Sequence, residues 1–259
     1  MSALTITAEQ INSWVGLVMW PMFRIAGLLT ILPTLGGGEV PVRVRVGLAV
    51  MITVMIVPSL PAMPQIDPLS ADSIFISFQQ LIIGVAMGLM VLLVFNAVTL
   101  AGESIAITMG LGFALMNDPQ NGVQVPTVSQ FYLIMSTMLF LAFNGHHQVL
   151  LLMAASFDLM PVGQALGADA LWQLVRWAGV MFSGALAIAL PALAAMLTVN
   201  MVMGVITRAA PQLNLFSVGF PITMTIGFAS ILFTLPTFQF SFESLISQAL
   251  DTIARVLSN

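Results

Sequence analysis

Apolar residues in this chain run in long unbroken stretches. Trp14 to Pro33, Val44 to Leu60, Ser77 to Leu100, Ser129 to Ala154, Trp172 to Val199 and Asn214 to Leu235 each approach the roughly 20 apolar residues a helix needs to cross a bilayer core. Hydrocarbon offers no water to backbone N–H and C=O groups, so runs of this kind satisfy themselves internally as α-helices. Gly, Pro and polar residues collect between them: Gly36-Gly37-Gly38-Glu39-Val40-Pro41, the proline-rich Pro58 to Pro68, Gly102 to Val128, Asp158 to Asp169 and Thr207 to Leu213. After the sixth run, Phe240 to Leu257 sets Glu243, Asp251 and Arg255 on polar positions and reads as a short amphipathic helix at an interface or against a partner. The pattern predicts an all-α polytopic membrane protein of about six long apolar helices, one domain over residues 1–259, with short loops.

Composition strengthens that reading. Hydrophobic residues make up 59% of the chain and charged ones 6%, against about 25% charged in a soluble domain. A water-facing exterior cannot be built from this inventory, whereas a lipid-facing or protein-facing one can. All six basic residues are arginines and the net charge is -4, which leaves neither a nucleic-acid footprint nor a polybasic membrane-surface patch. The absence of cysteine removes disulfides, thiol nucleophiles and thiolate metal sites. Residues 1 to 13 carry Glu9 and no Lys or Arg, so the first apolar run lacks the basic start of a signal peptide and reads as retained.

Arginine placement gives an orientation, since basic residues are held on the cytoplasmic side. Arg43 and Arg45 flank the first loop and Arg208 the fifth; Asp67, Asp72, Asp158 and Asp169 mark the second and fourth. Odd-numbered loops then face the cytoplasm and both termini lie outside. Several runs are poor spanners taken singly. The first has Pro21 and Arg24 near its middle, and a charge at that depth costs roughly 2.5 to 3.5 kcal/mol. Pro191 and Asn200 interrupt the fifth, and Asn214, Pro221 and Gly227 the sixth. Such helices call for protein around them.

Side-chain chemistry is sparse. His146 and His147, the only histidines, are adjacent on the helix period and point about 100° apart, unlike an i, i+4 ligand pair, so they read as loop-side or interfacial. Ser183-Gly184 lacks the neighbours of an intramembrane nucleophile and reads as a small-residue packing position, as do Gly84 and Gly88. Glu103 and Asp118 stand apart from any basic or metal-binding neighbour. Arg24 needs a partner: a carboxylate such as Glu103, another subunit, or backbone carbonyls. The stretch Ile105 to Gln124 is apolar and glycine-broken, then turns at Asn117-Asp118-Pro119 and Asn121-Gly122. With Met109, Phe113, Leu115 and Met116 it reads equally as a movable plug, a re-entrant segment or a short seventh helix.

The chain resembles the FliR family, the export-gate subunit of the flagellar type III secretion apparatus. The residues that carry the resemblance are Phe23-Arg24 with Pro33 and Pro41 to Gly47; Gly102-Glu103 with Met109-Gly110-Leu111-Gly112-Phe113 and Asp118-Pro119; and Gly122-Val123-Gln124-Val125-Pro126. Ser129-Gln130-Phe131-Tyr132, Phe143-Asn144-Gly145-His146 and the run Pro211 to Pro221 complete the set. His146-His147 departs from the family pattern of one histidine followed by an apolar residue, so no role for His147 carries over.

The resemblance implies a non-enzymatic subunit without cofactors. It would co-assemble with FliP and FliQ into a closed helical gate beside FlhB and FlhA, pass unfolded flagellar export substrates, and sit in the bacterial inner membrane at the flagellar basal body. It also implies a FliP-like part over about 1–200 and a FliQ-like hairpin over about 172–259. The hairpin's cytoplasmic turn would hold Arg208, Pro211, Gln212 and Asn214, and the plug would comprise Met109, Gly110, Leu111, Gly112, Phe113, Leu115 and Met116. A stand-alone secondary transporter or channel is the alternative; it calls for ionisable groups at mid-membrane and usually an internal repeat.

Overall fold

The computed structural model describes residues 8–36, 40–61, 63–64, 66–68, 70–111, 127–210 and 219–258, with side chains from Trp14 onward. These residues form helices: α1 (Ala8–Ile31), α2 (Val42–Ile56, extended by a 3-10 turn Val57–Ser59), α3 (Ala71–Thr108), α4 (Thr127–Ala142), α5 (Gly145–Leu159), α6 (Ala168–Ala209) and α7 (Phe220–Ser258). Among the described residues there is no strand.

Among the described residues five helices, with α2 and its 3-10 turn counted together, are long and apolar enough to cross a membrane, and the α4–α5 pair supplies a sixth if it acts as one span. That pair bends by 62° at Asn144, which adopts φ 55° and ψ 30°. Asn is one of the few L residues that visit this left-handed region readily, because its short amide bonds locally. The apolar run Ser129 to Ala154 therefore holds two helices and an elbow.

Element boundaries differ from the sequence pattern in two places. Gly102 does not loosen the chain: α3 continues through it to Thr108. A Cβ at Gly102 would stand 2.6 Å from Ser129 Cα, so this glycine is a point of close approach between α3 and α4. The short amphipathic helix expected from Phe240 is the second half of α7, which passes through Pro236 without ending. Helices α3, α6 and α7 contain 38, 42 and 39 residues. At about 1.5 Å per residue each is close to twice the roughly 30 Å hydrocarbon thickness.

The chain divides into two compact units, Met1–Leu93 with Asn144–Trp177 and Ser247–Asn259, and Val94–Phe143 with Ala178–Ile246. The divisions fall inside α3, α6 and α7 as well as at the Asn144 elbow.

In the first unit α1 crosses the first half of α3 backbone to backbone. A Cβ on Gly84 would overlap the Arg24 carbonyl oxygen and lie 2.9 Å from Leu28 N; one on Gly27 would overlap the Leu81 carbonyl. Gly88 continues the contact one turn on, 3.0 Å from Leu28 O by the same measure. The Gly84/Gly88 pair thus does what small residues do between membrane helices, letting backbones meet so that dispersion replaces the absent hydrophobic drive. Trp20, Ile25, Leu28, Leu29 and Met90 are fully buried around this crossing, and Trp177 Nε1 donates to Met90 O at 3.1 Å. Helix α2 packs beside α1 but buries only Ala49 and Thr53 of its residues.

In the second unit Phe95 stands edge-on to Phe140 and Phe242, with centroids 5.6 and 5.7 Å away, and Tyr132 stands edge-on to Phe238 at 5.0 Å. Ring edges meeting ring faces is the arrangement that the aromatic quadrupole favours.

Candidate functional site

Arg24 is completely buried in the first unit. Its position on α1 follows from the Gly27/Gly84 crossing, which draws that face of α1 onto α3. Nε donates to Gln80 Oε1 at 2.8 Å. Nη1 donates to Ser156 O at 2.8 Å and to Ser156 Oγ at 3.1 Å, and Nη2 to Met160 O at 2.9 Å. The guanidinium also lies over the Phe157 ring, 4.1 Å from its centroid. Ser156 is in the last turn of α5 and Met160 is its C-cap, so the cation sits where the orphan carbonyls of a helix end gather partial negative charge. Arg24 is a C-terminal cap for α5 delivered from another helix. Its compensation is thus the backbone-carbonyl kind, reinforced by an amide and a ring face. Glu103, the carboxylate considered for it, is exposed and belongs to the second unit.

The second locus is the end of α3. Gly110 N–H donates to Ile107 O and Leu111 N–H to Ala106 O, both at 3.0 Å, while Gly110 has φ 83°. This is the Schellman arrangement, in which a glycine in the left-handed region turns the chain back so that helix-end carbonyls keep donors. Met109, just before it, is fully buried. Its side chain occupies the place a Cβ on Gly227 would take, with Met109 Cγ and Cε both 2.6 Å from that point. Gly110 faces the Phe220 ring, whose nearest carbons lie 3.4 Å from a Cβ built there. Next to this end opens a cavity of about 610 Å³, lined by Met109 and Gly110, by Met203 and Thr207 of α6, and by Phe220 and Thr223 of α7. The hydroxyls of Thr108, Thr207 and Thr223 donate to carbonyls of their own helices, so apart from the amide of Asn200 the cavity wall presents chiefly hydrocarbon. Nothing on this wall is suited to acid-base work; the arrangement is suited to packing and to obstruction.

Of the plug residues named from the resemblance, Met109, Gly110 and Leu111 meet at this site, and Gly112, Phe113, Leu115 and Met116 lie outside the described residues. Arg208 is exposed in the last turn of α6; Pro211, Gln212 and Asn214 lie outside the described residues. His146 is half-buried with an unpartnered Nδ1, and His147 is exposed, both in the first turn of α5. Sequence reasoning did not single out Gln80, Ser156 or Met160 as partners of Arg24. The signal for Gln80 was present, since an amide inside the run Ser77 to Leu100 needs a partner; Met160 contributes only a carbonyl, which no residue type announces.

Large apolar side chains face outward along several helices: Val54 and Met55 on α2 at 60% and 73% exposure, Met201 and Val205 on α6, and Phe233 and Phe240 on α7 at 82% and 70%. Lipid or other protein must cover them.

The chain matches the family of bacterial export proteins, family 1, over residues 15–249. It is 36% identical over 256 residues to the flagellar biosynthetic protein FliR of Escherichia coli (strain K12), the match covering 98% of each chain. It is likewise 36% identical over 257 residues to the protein of that name from Pectobacterium carotovorum subsp. carotovorum, again covering 98% of each. With the flagellar biosynthetic protein FliR of Bacillus subtilis (strain 168) it shares 26% over 239 residues, 91% of this chain and 92% of the other.

Proposed function

From membership of the bacterial export proteins, family 1, to which the chain belongs, we propose that it is a non-enzymatic subunit of the flagellar type III protein export gate. It completes a helical channel with FliP and FliQ, neighbours FlhB and FlhA, and blocks the lumen with the segment that begins at Met109 until unfolded flagellar substrate is driven through. Its place is the bacterial inner membrane at the basal body, with the turn after Arg208 toward the cytoplasm. The energy for transport comes from other components.

The observation that carries this reading is the end of α3. An apolar methionine buried against α7, a glycine-turned helix end and a mainly hydrocarbon-walled cavity stand together immediately before the Gly112 to Met116 stretch. The exposed apolar faces of α2, α6 and α7 support assembly into something larger. A self-sufficient transporter is disfavoured because its mid-span ionisable group, Arg24, has an acceptor at each guanidinium nitrogen and does not release a proton.

Two measurements test the proposal. Deleting Gly110 to Met116 is expected to make the closed gate leaky to small ions, and conductance equal to the intact gate would count against the plug. Purification in mild detergent is expected to yield a hetero-oligomer with two small membrane partners. A lone, active monomer would refute it.

A further inference from the structure

The residues assigned to the plug need not move as one body. From the packing at the end of α3 we infer that Met109, seated on Gly227, is a fixed anchor: it holds this end of α3 on α7 in both the closed and the conducting gate. The inference rests on the gate reading above and divides the segment that reading treats as a single mover.

Three features of the second unit point to it. The Schellman closure supplies a donor to Ala106 O through Leu111 N–H and to Ile107 O through Gly110 N–H, bonds that a swing of this helix end would have to break. Met109 is buried completely although it follows the last residue of α3, and its flexible thioether fills a space that exists only because residue 227 lacks a side chain. Gly110, at φ 83° and against the Phe220 ring, is a position where any L side chain would be strained. Two glycines and one methionine therefore define a socket on α7. A segment that swung from Met109 onward would have to empty it.

Met109 and Gly227 are positioning residues, and the absence of cysteine from the chain allows a clean test in the assembled apparatus. Met109 Cγ lies 2.6 Å from the Cβ position at 227, close enough that paired cysteines fall within reach of the roughly 3.8 Å Cβ separation a disulfide needs. In cells carrying Met109→Cys with Gly227→Cys, the cross-link is expected to form on oxidation. Secretion of a flagellar substrate should then stay within about twofold of its reduced level, because the joined positions do not separate in export. A cross-link that cuts secretion about tenfold, with recovery on reduction, would show that this end must move and would overturn the anchor. Failure of the cross-link to form in assembled gates would overturn it as well.

Gly227→Ala supplies the second arm. It displaces Met109 while adding one carbon, and is expected to raise ion leak about tenfold at unchanged gate abundance, as small-to-large changes at a close contact shift the neighbour. Leak at the wild-type level would count against the anchor. The plug reading fails through a different result, an ion-tight gate after deletion of Gly110 to Met116.

Discussion

Replacing Gln80 by leucine should harm the first unit more than replacing Gln80 and Arg24 together. In the native arrangement Gln80 Oε1 accepts from Arg24 Nε at 2.8 Å, and both residues are fully buried. Gln80→Leu strands a donor on a buried cation, and hydrogen bonds to charged groups contribute about 1.5–3 kcal/mol, so a loss of about 3 kcal/mol is expected. Arg24→Met removes the ion but orphans Met160 O and Gln80 Oε1, whose other amide atom, Nε2, already lacks a partner. Ser156 O suffers less, because it also accepts Met160 N–H at 2.9 Å. Each orphan costs about 1–3 kcal/mol, and relief from burying a charge offsets several, leaving a net loss of about 1–3 kcal/mol. The double variant Arg24→Met/Gln80→Leu keeps only the Met160 orphan and should lose about 1–2 kcal/mol, a coupling of about 2 kcal/mol or more between the two sites. The cycle is read from unfolding midpoints in mild detergent, followed by helical circular dichroism. Single-variant losses that add to the double-variant loss within about 0.5 kcal/mol would refute the claim that Gln80 acts through Arg24.

Gly84→Ala should part α1 from α3, because its Cβ overlaps the Arg24 carbonyl; a loss of about 1–3 kcal/mol or more is expected, and an unchanged unfolding midpoint would show that the crossing is looser than described. Phe95→Ala should cost about 3–5 kcal/mol, given its 1% exposure and its edge contacts with Phe140 and Phe242; a drop under 1 kcal/mol in the same assay, well below the ~3 kcal/mol floor, would contradict the packing. Met55→Arg puts a charge on the 73%-exposed outer face of α2. If that face meets lipid or a neighbouring subunit, membrane-integrated, assembled protein should fall sharply, as a penalty of about 2.5–3.5 kcal/mol implies. Wild-type amounts in the membrane would mean that the face is open to water.

Where the fold was legible, a local rule had no competitor. Apolar runs of spanning length can only be helices in hydrocarbon, and the four-residue spacing of Gly84 and Gly88 has one cheap use between two such helices. The need to compensate Arg24 was visible from its depth, and backbone carbonyls were among the solutions considered. Which carbonyls was not visible, because Ser156 and Met160 lie 132 and 136 residues along the chain and the relevant feature is the end of α5, set by the elbow at Asn144. Glycines misled where their partner was remote. Gly102 resembles a helix breaker until Ser129 is brought against it, and Gly227 resembles a weak point in a span until Met109 fills the space. The length of α7 was hidden because Pro236 and a change from apolar to amphipathic composition suggested two elements, whereas a proline interrupts a hydrogen bond without obliging the chain to turn.

Helix α7 has a further consequence for the cell that makes this chain. Its 39 residues extend about twice as far as the roughly 30 Å a bilayer can shield, and Phe233 and Phe240 point away from the subunit along it. A copy synthesised in excess of its neighbours would leave greasy surface stranded beyond the lipid, where it invites aggregation and proteolysis. Surplus subunit is therefore a burden, and production matched to the rest of the export apparatus is a requirement already present in the length of one helix.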